Sequence, residues 1–232
     1  MPVIAFANPK GGAGKTTAAL LLASELASRG AEVTILDADP ERWLTQWGRL
    51  PGRPENLRIE SEVSEESIVD QIEEAQGQSQ FVIVDLEGTA SLMVANAVGM
   101  SDLVVIPTQG GAMDAKGAAK MIRLIRNQER MARREIRHGV LMTRTSAAVT
   151  SRAMRNVRDQ LDRAGIPVFL TPIVERAAYR DVFDYGGLLA DLPEGQVSNL
   201  GNARKNASDF AGEVLVLLKN ERPEVETMEV AG

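Results

Sequence analysis

Asn8-Pro9-Lys10-Gly11-Gly12-Ala13-Gly14-Lys15-Thr16-Thr17 decides how this chain is read. The apolar run Val3 to Ala7 precedes it, and the helical pattern Thr16 to Ser28 follows. From Gly11 to Gly14-Lys15-Thr16 it satisfies G-x-x-x-x-G-K-[ST] in the strand–loop–helix setting the motif needs. Gly11, Gly12 and Gly14 let the backbone curl with its N–H groups inward on phosphate oxygens, around Ala13. The helix start adds free N–H groups and a positive dipole end. Lys15 reaches the β- and γ-phosphates, Thr16 offers a hydroxyl to Mg²⁺, and Thr17 completes the cradle. A glycine-rich turn matching by chance is the plain alternative, and the setting argues against it.

Beyond the loop, short apolar runs alternate with amphipathic stretches. Val3 to Ala7, Val33 to Leu36, Phe81 to Val84, Leu103 to Ile106, Val140 to Met142 and Val168 to Leu170 read as buried strands. Glu66 to Ala75, Ala115 to Arg134, Ser151 to Ala164 and Ala203 to Leu218 join Thr16 to Ser28 as helices. Gly48 to Pro54 is a loop leading to a short edge strand at Leu57 to Ile59. This predicts an α/β P-loop fold, a doubly wound, mostly parallel sheet with helices on both faces. Residues 1–219 read as one ATPase domain and 220–232 as an acidic, frayed tail. Ligands of such sheets sit at the carboxyl ends of the strands.

Acids stand at those ends. Asp37-Ala38-Asp39-Pro40 closes the second apolar run, and Phe81-Val82-Ile83-Val84-Asp85 has the Walker B pattern. Hydrolysis needs one group to orient water and others to support magnesium. Asp39 also reads as a helix N-cap ahead of Pro40, which is compatible with catalysis.

Lys10, which a simple phosphate loop does not need, makes K-G-G-x-G-K-T-T, the deviant form of the loop. Here the sequence resembles the ParA/MinD family of ATPases. The resemblance implies that Lys10 crosses a homodimer to the partner's ATP, where a second cation stabilises charge on the leaving oxygens. A solvated loop lysine is the bland alternative. By resemblance D-x-D-P gives Asp39 the attacking water and Asp37 a role beside the metal, with Asp85 as a water-mediated magnesium partner. Thr143-Arg144 resembles the family's base-side strand end, and Thr171-Pro172-Ile173-Val174-Glu175-Arg176 its proline-bearing base loop. The chain departs from the family at Leu86-Glu87-Gly88-Thr89 and at Glu41, both switch-loop positions. Those acids bear on hydrolysis rate and partner contacts.

Lys116, Lys120, Arg123, Arg126, Arg130, Arg133, Arg134 and Arg137 recur at three- and four-residue steps. They fall in an arc of roughly 140° opposite Met121, Ile122, Leu124, Ile125 and Ala132. Arg152, Arg155, Arg158 and Arg163 follow on the next helix. From Lys116 to Arg163 thirteen Lys and Arg meet four Asp and Glu, a net +9, while the rest carries −15 of the total −6. Long cations on one face suit nonspecific duplex DNA, through phosphate contact without base readout. A solvated helix face is the alternative, although such faces usually mix signs. No aromatic residues interleave, so stacking on single strands is not indicated.

Composition narrows the rest. In 232 residues there is no cysteine and one histidine, His138. Disulfides, thiolate metal sites and Cys nucleophiles are excluded, as is a His-rich zinc site. No signal peptide or membrane span is visible, and the end from Lys219 is acidic and proline-broken, so anionic lipid would repel it. The expected protein is cytoplasmic, nucleoid-associated, without an N-terminal DNA-reading domain and without promoter autorepression. The resemblance implies a Mg²⁺-dependent ATPase whose ATP dimer binds DNA and positions a plasmid or chromosome, with a ParB-like or other adaptor stimulating hydrolysis. A protein cluster or a conjugative-transfer complex is an alternative cargo. A metabolic P-loop ligase of the dethiobiotin synthetase kind is an alternative of another class, needing neither Lys10 nor a basic face.

Overall fold

The computed structural model describes residues 1–88, 91–146, 152–195 and 197–219. Six strands form one sheet: β1 (Val3–Phe6), β2 (Val33–Ala38), β3 (Leu57–Glu60), β4 (Phe81–Leu86), β5 (Leu103–Thr108) and β6 (Arg137–Met142). Their spatial order is β3-β2-β4-β1-β5-β6, and every pairing is parallel. The helices are α1 (Lys15–Ser28), α2 (Trp43–Gly48), α3 (Ile68–Gln78), α4 (Leu92–Met100), α5 (Ala112–Ala132), α6 (Arg152–Arg163), α7 (Ala177–Tyr185) and α8 (Leu200–Lys219).

The apolar runs are continuous because both sheet faces are covered. Ile4, Phe6, Ile35, Ile83, Val105 and Leu141 face α1, α2, α7 and α8. Val3, Ala5, Leu36, Val84, Val104 and Ile106 face α3, α4, α5 and α6. The alternation within each strand is the period of two expected of a pleat. β1 is central and wholly buried, so the loop leaving it opens where connections depart toward both faces.

Several expectations need correction. Val168 to Leu170 forms no ladder strand: Val168 makes an isolated bridge to Val140, and Leu170 is exposed. Helix α5 spans Ala112–Ala132, three residues earlier than read, and ends where Arg133 turns left-handed at φ 51. Arg137 therefore opens β6 rather than extending the basic helix. Helices α2, α4 and α7 were not read from the sequence. α4 is apolar on most of its surface, which hides its period, and α2 has only six residues. Ser151 and the tail from Asn220 lie outside the described residues. Among the described residues no helix is long and apolar enough to cross a membrane.

Candidate nucleotide site

The phosphate loop takes the shape its glycines permit. Gly14 sits at φ 92 as the N-cap of α1. This left-handed conformation disfavours a side chain, and an added Cβ would meet Thr143 at 3.4 Å. The Thr143 hydroxyl donates to the Ala13 carbonyl at 2.7 Å, and Gln109 Nε2 donates to the Gly12 carbonyl at 2.7 Å. Two strand ends thus brace the loop. Lys15 is 5 % exposed. Gly11 to Thr17 line a cleft of about 790 Å³, which also takes in Asp39, Glu41, Trp43, Gly88, Thr143 and Arg144.

Asp37 and Asp85 lie under this loop, on neighbouring strands and in register. Both are buried. Asp37 Oδ2 accepts from the Thr45 amide at 2.8 Å and the Thr45 hydroxyl at 2.6 Å, while its Oδ1 has no partner among the described residues. Neither carboxylate oxygen of Asp85 has a hydrogen-bond partner there. Burial pushes Asp85 up to about 7, against the opposing pull of Thr16 and Lys15, with Asp37 and Asp39 pushing the same way as burial. Burial also raises Asp37, offset in part by Thr45. The three orphaned carboxylate oxygens, with Asp85 beside the Thr16 hydroxyl, form a hard, oxygen-only donor set of the kind magnesium takes. Among the described residues no three His, Cys, Asp or Glu side chains gather into a metal cage. The residues present therefore fit a magnesium shared with nucleotide phosphates.

Asp39 stands at the cleft edge, where its Oδ1 accepts from the Glu41 amide at 3.0 Å. It closes a turn and does not cap α2, whose N-cap is Arg42. Lys10 turns away from the cleft and pairs with Asp114 at 2.7 Å, on the first turn of α5. Asp114 is itself buried and accepts from the Gly111 amide at 3.1 Å. No local pattern signals this ion pair, since its partners lie 104 residues apart.

The far end of the cleft is formed by Ile173, Val174, Glu175 and Arg176, with Tyr179, Arg180, Phe183 and Asp184 of α7. Arg144 borders it at φ 50. Pro172, expected beside the base, does not line the cleft; its carbonyl accepts from Asn206 at 2.8 Å on the other side. Trp43 and the α7 side chains were missed because the sequence showed neither helix.

Lys116, Lys120, Arg123, Arg126 and Arg130 on α5, and Arg133 at its C-cap, are exposed, and none is in an ion pair among the described residues. Ala118, Met121, Ile122 and Ile125 are buried on the opposite side, whereas Ala132 is exposed and Leu124 half-buried. Arg134 does not belong to the stripe. Past the helix end it folds back, donating to the carbonyls of Gly99 and Ser101, the latter at 2.9 Å. Arg152, Arg155, Arg158 and Arg163 are exposed on α6, which packs beside α5.

Residues 1–207 match the VirC1 protein family. The chain belongs to this family of ParA/MinD-type P-loop ATPases. It is 42% identical over 211 residues to Protein ParA of Rhizobium radiobacter, covering 91% of this chain and 95% of that one. It is 26% identical over 215 residues to the maintenance of carboxysome distribution protein A of Halothiobacillus neapolitanus, covering 91% and 94%. The solved apo McdA structure from Cyanothece superposes with a TM-score of 0.76 at 17% identity, covering 93% of this chain and 99% of that one. That likeness concerns the fold. The sequence matches tie this VirC1-family chain to partition and positioning proteins.

Proposed function

We propose that this chain hydrolyses ATP with magnesium and dimerises around it, and that the dimer binds duplex DNA nonspecifically to position a cargo. The observation that carries the reading is the convergence of the buried Lys15, the phosphate loop and Asp39 on one cleft, above the orphaned oxygens of Asp37 and Asp85. Loop N–H groups and Lys15 neutralise the phosphates. Magnesium, when bound, would supply positive charge beside the phosphates. The Thr16 hydroxyl would hold it, with Asp37 and Asp85 behind. Asp39, steadied by the Glu41 amide, accepts a hydrogen bond from the attacking water and so orients it. Lys10 must leave Asp114 to reach a partner's nucleotide, which ties dimerisation to the first turn of the basic helix.

Thr143, Arg144 and the wall from Ile173 to Arg176 hold the nucleoside. The exposed cations of α5 and α6 meet DNA phosphates. One relative is named for carboxysome distribution and another is a ParA protein; with the ParA/MinD resemblance, this favours as cargo a large body such as a plasmid, a chromosome or a protein cluster, recruited by an adaptor that stimulates hydrolysis.

Asp39→Ala tests this directly. It removes the water-orienting group but no phosphate ligand, so ATP binding is expected to persist while turnover is lost. Size-exclusion chromatography with ATP then gives a lasting dimer. A variant that hydrolyses at the parental rate, or that stays monomeric with ATP, contradicts the assignment.

A further inference from the structure

Helix α8 carries two polar side chains that hold the far wall of the cleft from behind. Asn206 and Glu213 lie two turns apart on one face. The Glu213 carboxylate accepts from the Leu170 amide at 2.7 Å and the Thr171 amide at 2.8 Å. Asn206 Nδ2 donates to the Pro172 carbonyl at 2.8 Å, and its Oδ1 accepts from the Val174 amide at 3.0 Å and the Tyr179 hydroxyl at 3.0 Å. Turning the amide over would set its NH₂ against the Val174 N–H, so these partners fix its orientation.

The segment from Leu170 to Val174 is too irregular to hold itself by ladder bonds. On its other side the Ile173 amide donates to the Met142 carbonyl at 2.8 Å, and the Thr145 amide donates to the Ile173 carbonyl at 3.2 Å. The α8 side chains bind the amides of Leu170, Thr171 and Val174 and the Pro172 carbonyl, two of these bonds to a carboxylate, which are the stronger kind. Tyr179 extends the brace to α7. Neither Asn206 nor Glu213 lines the cleft. α8 also packs on α1, whose N-terminus carries the phosphate loop, so both ends of the cleft are referred to one pair of helices.

We propose that Asn206 and Glu213 are positioning residues that set the nucleoside-binding wall, Ile173 and Val174, at a fixed distance from the phosphate loop. This rests on reading the cleft as an ATP site. Truncating either side chain leaves backbone N–H groups without their partners and frees the wall, while the phosphate end stays intact.

The test is calorimetric titration of the full chain with ATP, ADP and inorganic tripolyphosphate. Asn206→Ala and Glu213→Ala are each expected to weaken ATP and ADP about tenfold and to leave tripolyphosphate unchanged. Glu213→Gln keeps one acceptor and is expected to fall between; it carries the same test if Asn206→Ala does not fold. Unchanged ATP affinity, or an equal loss for all three ligands, overturns the positioning role. A parent that binds tripolyphosphate but not ATP overturns the ATP reading itself, and this inference with it.

Discussion

The phosphate loop and the exposed stripe of α5 both offer groups suited to phosphate, but they differ in enclosure. In the loop, one lysine that is 5 % exposed works with backbone N–H groups braced by Thr143 and Gln109. On α5 and at its C-cap, six long cations stand in solvent without carboxylate partners among the described residues. An enclosed charge is screened little and depends on geometry, whereas exposed charges are screened by salt and act by number. The first arrangement suits one defined ligand. The second suits a polymer of repeating charge whose sequence is not read.

Substitutions at the two regions are expected to differ in size. The largest effect is expected at Lys15. Lys15→Ala removes the enclosed cation, and ATP affinity should fall by about a hundredfold or more, read by fluorescent-nucleotide titration. Reversal of Arg123, Arg126, Arg130 and Arg133 to Glu comes next. Duplex affinity with ATP should drop by roughly a hundredfold, while ATP binding is kept because the stripe lies opposite the buried side of α5. Arg123→Ala alone should cost about two- to threefold in duplex affinity, since no single exposed cation dominates. A single substitution there as damaging as Lys15→Ala would erase the distinction between the two regions.

A smaller effect concerns the acid beneath the loop. Asp85 binds its proton more tightly in the fold than in the unfolded chain, with a value raised from 3.8 to about 7. The folded state therefore holds more protons across that window, and stability without nucleotide falls as pH rises through it. Asp85→Asn removes the buried charge. Its Tm without ligand is expected to exceed the parent's by roughly 3 °C or more at pH 8, with the gap closing toward pH 4. Scanning calorimetry at the two pH values checks this, and a gap that widens in acid would contradict it.

How much of this was legible depends on how local each feature is. The phosphate loop, the acids ending β2 and β4, and the parallel sheet rest on contiguous residues with a clear period, and all were readable. The wall of the cleft was not. Pro172 marks the right loop, but Asn206 and Glu213 hold that loop in place from α8, over more than thirty residues of separation. Val168 to Leu170 has the composition of a strand yet leaves the sheet after one bridge: the Phe169 amide still donates to the Val140 carbonyl of β6, but the Leu170 amide goes to Glu213. Arg134 shares the spacing of the basic stripe, but the helix stops before it, and its guanidinium satisfies the Gly99 and Ser101 carbonyls at the C-terminal end of α4. Nothing local signals that Lys10 rests on Asp114.

An enclosed nucleotide that switches an exposed face onto DNA makes binding to duplex depend on the nucleotide state. Fluorescence anisotropy of a random duplex, titrated with the full chain in ATP or in ADP, should be run at two ionic strengths. Binding is expected with ATP and magnesium, weak or absent with ADP, and equal for unrelated duplex sequences. Between about 50 and 200 mM salt, six or more phosphate contacts predict an affinity loss of roughly a thousandfold. Duplex binding that is the same with ATP and ADP, or no binding at low salt by a protein that has bound ATP, would contradict a nucleotide-switched DNA face.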